Sequence, residues 1–463
     1  MLEDKAKKTI VIAGATGFIG RWFIKEYRHK YNIIALSRRK VLENPHPEVE
    51  WRQVELYSIT STEKALAGAD YALYLVHSMN PSTRLNQGSF DDTDLLLADN
   101  FARAATLHNL EQIIFIGGIF PKESEEWSRH LRSRYEVEQT LASRATPLTT
   151  LRAGIIIGPG GSSFRIVKRL VKNLPVMACP KWCESESQPI AVNDVLKMLD
   201  QAFGNEKYYG QSIEIGGPEV ITYMDMLKMT AKQMNKKRWI FSIPVYTVGF
   251  SKLWVARFTK SSTTFVSPLV ESLRHTMTLE EDPLRKSFDI DYKPMEQTVK
   301  DALQKEDEIY DAPVFERNRG KKEESNTVRS YQRLPNPRKL NASRVAKLYQ
   351  TWLPHFFRSV INARLKDETV NFHLFNARRP ILSLQLVTDR SNDERHLFYI
   401  TGGVLVKRKD YGWLEFRRVL DGKYIIAAIH EFVPRLPWYV YVNTQAVFHL
   451  WVMNRFGRYL EKL

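Results

Sequence analysis

Three glycines spaced by three, Gly14, Gly17 and Gly20, sit between a short apolar run, Thr9–Ala13, and an amphipathic stretch, Phe18–Tyr27. A strand that turns into a helix through such glycines presents backbone N–H groups and the positive end of a helix dipole to an anion. Gly14 permits the tight turn, Gly17 lets the backbone approach a pyrophosphate, and Gly20 lets the helix lie close on the strand. The loop formed by Gly14, Thr16, Gly17, Phe18, Ile19 and Gly20 is therefore the expected seat of a dinucleotide's phosphates. The second strand ends Leu36-Ser37-Arg38-Arg39. An NAD-binding chain usually carries an acidic residue there for the ribose 2′-hydroxyl. Ser37, Arg38 and Arg39 instead suit a 2′-phosphate, by charge and by bidentate geometry. Two solvated arginines on a turn are the alternative. NADP(H) is expected in preference to NAD(H), with Glu55 and Leu56, at the end of the third strand, also expected among the cofactor contacts.

The elements around this loop alternate in a βαβ rhythm. Apolar runs at 31–36, 49–56, 71–76, 113–116 and 148–157 are strands; 94–107 and 129–142 read as helices. That grammar implies a doubly wound parallel sheet covered on both faces, an α/β Rossmann domain over 1–220. Residues 221–304 form a helical cap, with helices expected at 223–234, 245–258 and 264–275. Trp254, Phe258 and Phe265 on those helices are either pocket lining or core. A polar, charged segment, 305–344, with few apolar residues outside 310–315, reads as a linker. After it the pattern changes to a helix at 345–361 and strands at hairpin spacing (370–375, 381–387, 397–407, 413–419 and 424–432). Asp421-Gly422 marks a tight turn, and a long aromatic-rich helix follows at 438–460. This is a C-terminal α+β domain over 345–463, an arrangement that includes helix-grip domains with a hydrophobic cavity.

With these segments in place, the sequence resembles the extended and atypical short-chain dehydrogenase/reductases. It is nearest to the YbjT-like group of bacterial NAD(P)-binding proteins, close to the NmrA-like branch. The residues that carry the resemblance include GATGFIG at 14–20, ALSRR at 35–39, Leu75-Val-His-Ser-Met79, Ile116-Gly-Gly118, and Leu151-Arg-Ala-Gly-Ile-Ile-Ile-Gly158. Gln188-Pro-Ile190 with Asp194, and Gly216-Gly-Pro218, extend it. Leu397-Phe-Tyr-Ile-Thr-Gly-Gly403, Ala428-Ile-His-Glu-Phe432 and Leu436-Pro-Trp438 resemble a domain of unknown function fused to that group. The family's catalytic set is a Ser or Thr at the end of the fifth strand and a Tyr-x-x-x-Lys pair on the next helix. Here the strand ends in Gly117-Gly118, and the helix offers His130 and Arg134 at the same spacing, on one face. The resemblance gives Arg134 the ribose, and His130 titrates near neutrality and can hand a proton to a carbonyl. Arg134 nevertheless favours the neutral form of His130. Tyr135 points about 100° away around the helix and is a poor substitute. His77 and Ser78 fall where the family approaches the nicotinamide ribose, as pocket wall in preference to catalyst, and His77 is counted among the cofactor contacts. His430 and Glu431, as strand neighbours, point to opposite faces.

The expected activity is an NADP(H)-dependent oxidoreductase with an altered active site, acting on an apolar carbonyl substrate. The alternative is a sensor or scaffold that binds the dinucleotide without turnover. The chain has 463 residues, 43% of them hydrophobic, and a net charge of +16, which favours anionic cofactors or an anionic membrane surface over specific nucleic-acid binding. Two cysteines, Cys179 and Cys183, make neither a disulfide framework nor a zinc site and suit a reducing cytoplasm. The charge-free stretch 436–454 contains Pro437, Asn443, Gln445 and His449, which fits a buried or interfacial helix better than a spanning one. A cytoplasmic protein is the expectation for localisation, with peripheral contact at the inner membrane face as the alternative.

Overall fold

The computed structural model describes residues 7–77, 85–121, 127–244, 275–304, 312–316, 327–358, 360–407 and 412–463. The chain divides into two units, residues 1–79 with 97–317, and residues 80–96 with 318–463. The expected helices at 245–258 and 264–275, with Trp254, Phe258 and Phe265, lie outside the described residues except for His275.

In the first unit seven strands form one sheet: β1 (Thr9–Ala13), β2 (Asn32–Ser37), β3 (Val49–Gln53), β4 (Tyr71–Tyr74), β5 (Gln112–Gly118), β6 (Leu148–Ala153) and β7 (Ser212–Ile215). Their order is β7-β6-β5-β4-β1-β2-β3, and every pairing is parallel. Chain order reverses between β1 and β4, so a crevice opens there at the carboxyl ends of the strands. Alternation builds the two cores. Ile10, Ile12, Ile33, Ile114 and Leu151 face α1 (Phe18–Tyr27) and the helix Val192–Ala202. Val11, Ala13, Ile34, Ala72 and Phe115 face the opposite way, onto Phe101, Ala102 and Ala105 and onto α2 (Arg129–Leu141) through Val137 and Leu141. Of the cap, the helix Tyr223–Gln233 begins on a reciprocal Thr222–Asp225 capping box and packs with Ser162–Asn173 and Met295–Gln304. Cys179 and Cys183 are free and buried in that core.

In the second unit β8 (Val328–Pro335), β9 (Ile361–Lys366), β10 (Thr369–Leu374), β11 (Leu382–Leu386), β12 (Arg395–Gly402), β13 (Trp413–Val419) and β14 (Tyr424–Phe432) form an antiparallel sheet in the order β9-β10-β11-β12-β13-β14-β8. A short strand, Leu85–Gln87, adds parallel to β8. One sheet face carries Phe372, Phe398, Leu414, Phe416, Ile425 and Ala427 against α3 (Ala342–Phe356) and the terminal helices. The turn at Asp421-Gly422 is present, with Leu420, Asp421 and Gly422 all left-handed at φ 51, 52 and 79°.

Three expectations need correction. The linker does not run to 344, because Val328–Pro335 is a full strand. Its burial was hidden by polar side chains that satisfy one another: Gln332 Nε2 donates to Ser330 Oγ at 2.8 Å and to the Gln87 carbonyl at 3.0 Å. The helix expected at 345–361 ends at Phe356, and Ile361–Lys366 is a strand. The terminal helix is two helices, α4 (Trp438–Asn443) and α5 (Gln445–Lys462), broken at Thr444, which has φ −126° and ψ −81°. No described helix is long and apolar enough to cross a membrane.

The other sheet face holds a buried polar group. Glu415 accepts from Arg395 Nε, from Arg417 Nη2 at 2.9 Å and from His430 Nε2 at 3.0 Å, while His430 stacks on Trp413 at 4.6 Å. Burial alone would raise the Glu415 carboxyl, but the two guanidiniums and His430 hold it well below the usual carboxylate range. Burial drives the His430 imidazole down from its ordinary 6.5, against the opposing pull of Glu415. Both shifts have one sign: the folded state binds fewer protons than the unfolded one, so stability is present at neutral pH and is lost as pH falls. The melting temperature should therefore fall from about pH 7 to about pH 5, by about 3 °C per kcal/mol lost. His430→Gln should flatten that slope; an unchanged slope in differential scanning calorimetry would remove His430 from its cause.

Candidate functional site

The carboxyl ends of β1, β4 and β5 and the amino end of α2 meet at the crevice. Gly14 is left-handed at φ +91°, and a Cβ there would stand 2.9 Å from the Leu75 carbonyl oxygen. The Gly17 amide closes the turn on the Gly14 carbonyl at 2.9 Å. At Gly20 a Cβ would come within 2.6 Å of that same carbonyl and 2.8 Å of the Ala15 Cα. Gly20 thus lets α1 start directly on the turn. Gly17 caps α1 without a side-chain hydrogen bond, and its first turn holds no acidic residue. The N–H groups of Thr16, Phe18 and Ile19 belong to this open turn, the setting an anionic phosphate needs. Arg21, which sequence reasoning passed over, donates to the Gly17 carbonyl at 3.3 Å and adds positive charge there. The Phe18 ring backs the loop, 3.0 Å from where a Cβ on Gly158 would lie.

Past β2 the two arginines separate in role. Ser37 Oγ accepts from the Arg39 amide at 3.1 Å, fixing the turn. The Arg39 guanidinium lies 4.6 Å from the centre of the Phe315 ring, which itself meets Trp51 edge-on at 5.4 Å. Val314–Phe315, from the segment expected to be linker, pairs with Val41–Glu43 and supplies this ring. Arg38 is exposed and its side chain has no partner among the described residues. Glu55 and Leu56 follow β3; the Glu55 amide donates to Ser61 Oγ at 3.1 Å, and the Leu56 carbonyl accepts from Asn100 Nδ2 at 2.8 Å.

At the other end of the crevice two expected residues meet. His77 Nε2 and His130 Nδ1 are 3.2 Å apart, with ring centres at 5.0 Å. One nitrogen carries the proton and the other accepts it, so the pair shares a single hydrogen. The sequence placed His77 only near the ribose; its contact with His130 depends on how α2 docks. That docking is set by Arg134. One turn along, its buried guanidinium donates to the Val76 carbonyl at 3.1 Å and the Ile116 carbonyl at 2.6 Å, and lies 4.5 Å from the centre of the Phe115 ring. Gly117 and Gly118 bring no hydroxyl, and a side chain at Gly118 would meet Leu131 at 3.3 Å. Tyr135 packs with Phe120 and Trp127, ring centres 5.5 and 5.2 Å away. Glu138, missed in the sequence, accepts from Arg152 at 2.6 Å and Ser212 at 2.7 Å and ties α2 to β6 and β7. His430 and Glu431 do not pair with each other: His430 bonds Glu415, and Glu431 accepts from Arg329 Nε at 2.8 Å.

A glycine turn at a topological switch point, opening an uncapped helix, defines a dinucleotide-binding Rossmann domain. Residues 14–172 match the family described as NAD(P)H-binding. The auxiliary protein GraX of Staphylococcus aureus is 26% identical over 147 residues, 31% of this chain and 43% of that protein. The 40 kDa subunit of the mitochondrial NADH-ubiquinone oxidoreductase of Neurospora crassa is 20% identical over 245 residues, 51% of this chain and 63% of that subunit. The chain thus matches less than two thirds of the length of either relative. Among solved structures, the fold is shared with a nucleoside-diphosphate-sugar epimerase of S. aureus (TM-score 0.51, 14% identity, 63% of this chain and 99% of that one). It is shared too with Bordetella bronchiseptica WbmG, solved with NAD and UDP (TM-score 0.52, 12% identity, 67% and 97%).

The glycines allow a separation of effects. Gly17→Val should weaken NADPH binding at least about tenfold, because its side chain would fill the phosphate approach. It should cost less melting temperature than Gly20→Val, since a Cβ at 17 meets one backbone oxygen at 3.0 Å where one at 20 meets three backbone atoms closer than that. Gly20→Val, forced against backbone, should destabilise the fold by about 1–3 kcal/mol. Fluorescence titration and calorimetry of both variants read the two effects apart; undiminished NADPH binding by Gly17→Val would count against this loop as the phosphate seat.

Proposed function

We propose that the protein is an NADP(H)-dependent oxidoreductase that reduces an apolar carbonyl compound, with a histidine pair in place of the family's tyrosine and lysine. The observation that carries this reading is the His77–His130 hydrogen bond, 3.2 Å long, just past the carboxyl end of β4. The bound nicotinamide supplies a hydride to the carbonyl carbon. The protein's part is the proton. His130 engages His77 through Nδ1, so Nε2 is the nitrogen that gives a proton to the carbonyl oxygen. As His130 Nε2–H gives up its proton, His130 Nδ1 takes one from His77 Nε2–H and His77 Nδ1 takes one from solvent. The tautomers are then exchanged at unchanged charge, and the relay runs back once the alcohol leaves, a solvent proton entering at His130 Nε2 and one leaving at His77 Nδ1. Arg134 holds the strand ends and the helix that carries His130, and with the dinucleotide bound its charge would favour the ribose side of the crevice. Arg38 takes the 2′-phosphate, while Arg39 on Phe315 walls the adenine side with Ser37, Glu55 and Leu56.

Two variants test this. His130→Ala should lower the rate of NADPH oxidation about 10²–10⁴-fold in stopped-flow experiments with aldehydes, ketones and quinones, leaving NADPH affinity unchanged. Arg38→Glu should weaken NADPH about 10- to 100-fold and leave NADH within about twofold, the loss of a charge-assisted contact to one phosphate. Equal losses for both dinucleotides would remove the 2′-phosphate from Arg38.

A second reading is supported by the hydroxyl-free end of β5 and by the likeness to GraX, called an auxiliary protein. It is a sensor or scaffold that binds NADP(H) without turnover. Tight NADPH binding with no loss of nicotinamide signal across the panel would select it.

A further inference from the structure

The second unit has one surface that neither the dinucleotide nor its own core explains. Along α5, Val447, Phe448 and Trp451 face solvent, with Trp451 41% exposed, and on α4 Tyr439 is 81% exposed. These rings continue onto the end of α3: Phe357 lies 5.7 Å from Phe448 and 6.2 Å from Trp451. The β10–β11 hairpin tip adjoins the same place. The Phe375 amide donates to the Val360 carbonyl at 2.7 Å, and Val360 in turn donates to the Phe357 carbonyl at 2.9 Å. Leu374 and Phe375 at that tip are exposed, 43% and 59%. An exposed aromatic cluster of this extent is unusual on a protein that buries nothing with it.

Its charge is one-sided. Segments 342–366, 369–388 and 433–460, which build α3, the β10–β11 hairpin and the terminal helices as far as Leu460, contain no aspartate or glutamate; Glu461 follows at the far end of α5. Arg358, Arg378, Arg379, Arg435, Arg455 and Arg458 are all exposed among them. Arg455 lies 5.7 Å from the Trp451 ring centre. On a second copy of this chain the same arginines would outnumber the carboxylates next to this face, so self-association through it is disfavoured by charge. An anionic lipid surface matches both features. Trp and Tyr settle at the headgroup level, short apolar side chains reach the acyl boundary, and arginines meet lipid phosphates.

We propose that this face, the Leu374–Phe375 hairpin tip with α4 and the first turns of α5, docks the protein on the surface of an anionic bilayer without crossing it. The full-length chain should co-sediment with vesicles of phosphatidylcholine mixed with phosphatidylglycerol, far less with phosphatidylcholine alone, and should be released by high salt. Trp fluorescence should shift to the blue on binding. Arg378→Gln with Arg379→Gln should reduce partitioning about 25-fold, about fivefold for each arginine removed. Phe375→Asn should weaken binding several-fold, about what loss of one interfacial aromatic gives. Asparagine tolerates the left-handed backbone there, φ 49°, so this variant keeps its fold. NADPH binding should be unchanged in both, which separates a lost surface from a lost fold. Absence of binding to anionic vesicles, equal binding of both variants and wild type, or a concentration-dependent dimer that Phe375→Asn abolishes would each overturn the proposal.

Discussion

The crevice depends on one buried cation. Arg134 donates to the carbonyls of Val76 and Ile116, just past the end of β4 and within β5, and rests on Phe115. Hydrogen bonds from a charged donor contribute about 1.5–3 kcal/mol each, and a buried guanidinium without them would be strongly disfavoured. The arginine therefore fixes α2 in one position and rotation over the strand ends. One turn earlier, that rotation delivers His130 to His77. The i to i+4 spacing that the sequence displays is thus a lever: the anchor at 134 decides where the imidazole at 130 stands.

The glycine loop works by a complementary constraint, close approach. Gly14 and Gly20 are both needed because the Gly14 carbonyl and the Leu75 backbone occupy the space that side chains would take. α1 starts there without a side-chain cap or an acid in its first turn, so its N-terminal amides and dipole favour an anion. The binding surface and the packing of α1 on β1 are consequences of the same small residues. The second unit follows other rules. There the sheet gives one face to an aromatic core and the other to Glu415, Arg395, Arg417 and His430, a neutralised polar group that makes the unit sensitive to acid.

Much of the first unit was legible because its signals are local. Five-residue apolar runs, glycines at fixed spacing and helix-period stretches specify a parallel sheet almost independently of context. The residues of the nucleotide loop follow from that pattern. The His77–His130 contact does not, since it joins residues 53 apart through a docking geometry no spacing encodes. Phe315 was hidden for a similar reason: the apolar run at its position lies in a charged segment, and only its pairing with Val41–Glu43 places the ring under Arg39. Val328–Pro335 was read as linker because burial there is by paired polar side chains, to which hydrophobic periodicity is blind. Ile361–Lys366 was absorbed into the preceding helix, with Leu365 exposed at its outer edge.

The most direct measurement is isothermal titration calorimetry of the intact wild-type protein with NADPH and, separately, NADH. Expected is one site per chain for each, with NADPH tighter by about tenfold or more, since only NADPH gives Arg38 a phosphate. Equal affinities, or a preference for NADH, would contradict the assignment of Arg38 to the 2′-phosphate. Failure of both to bind would contradict the nucleotide site itself.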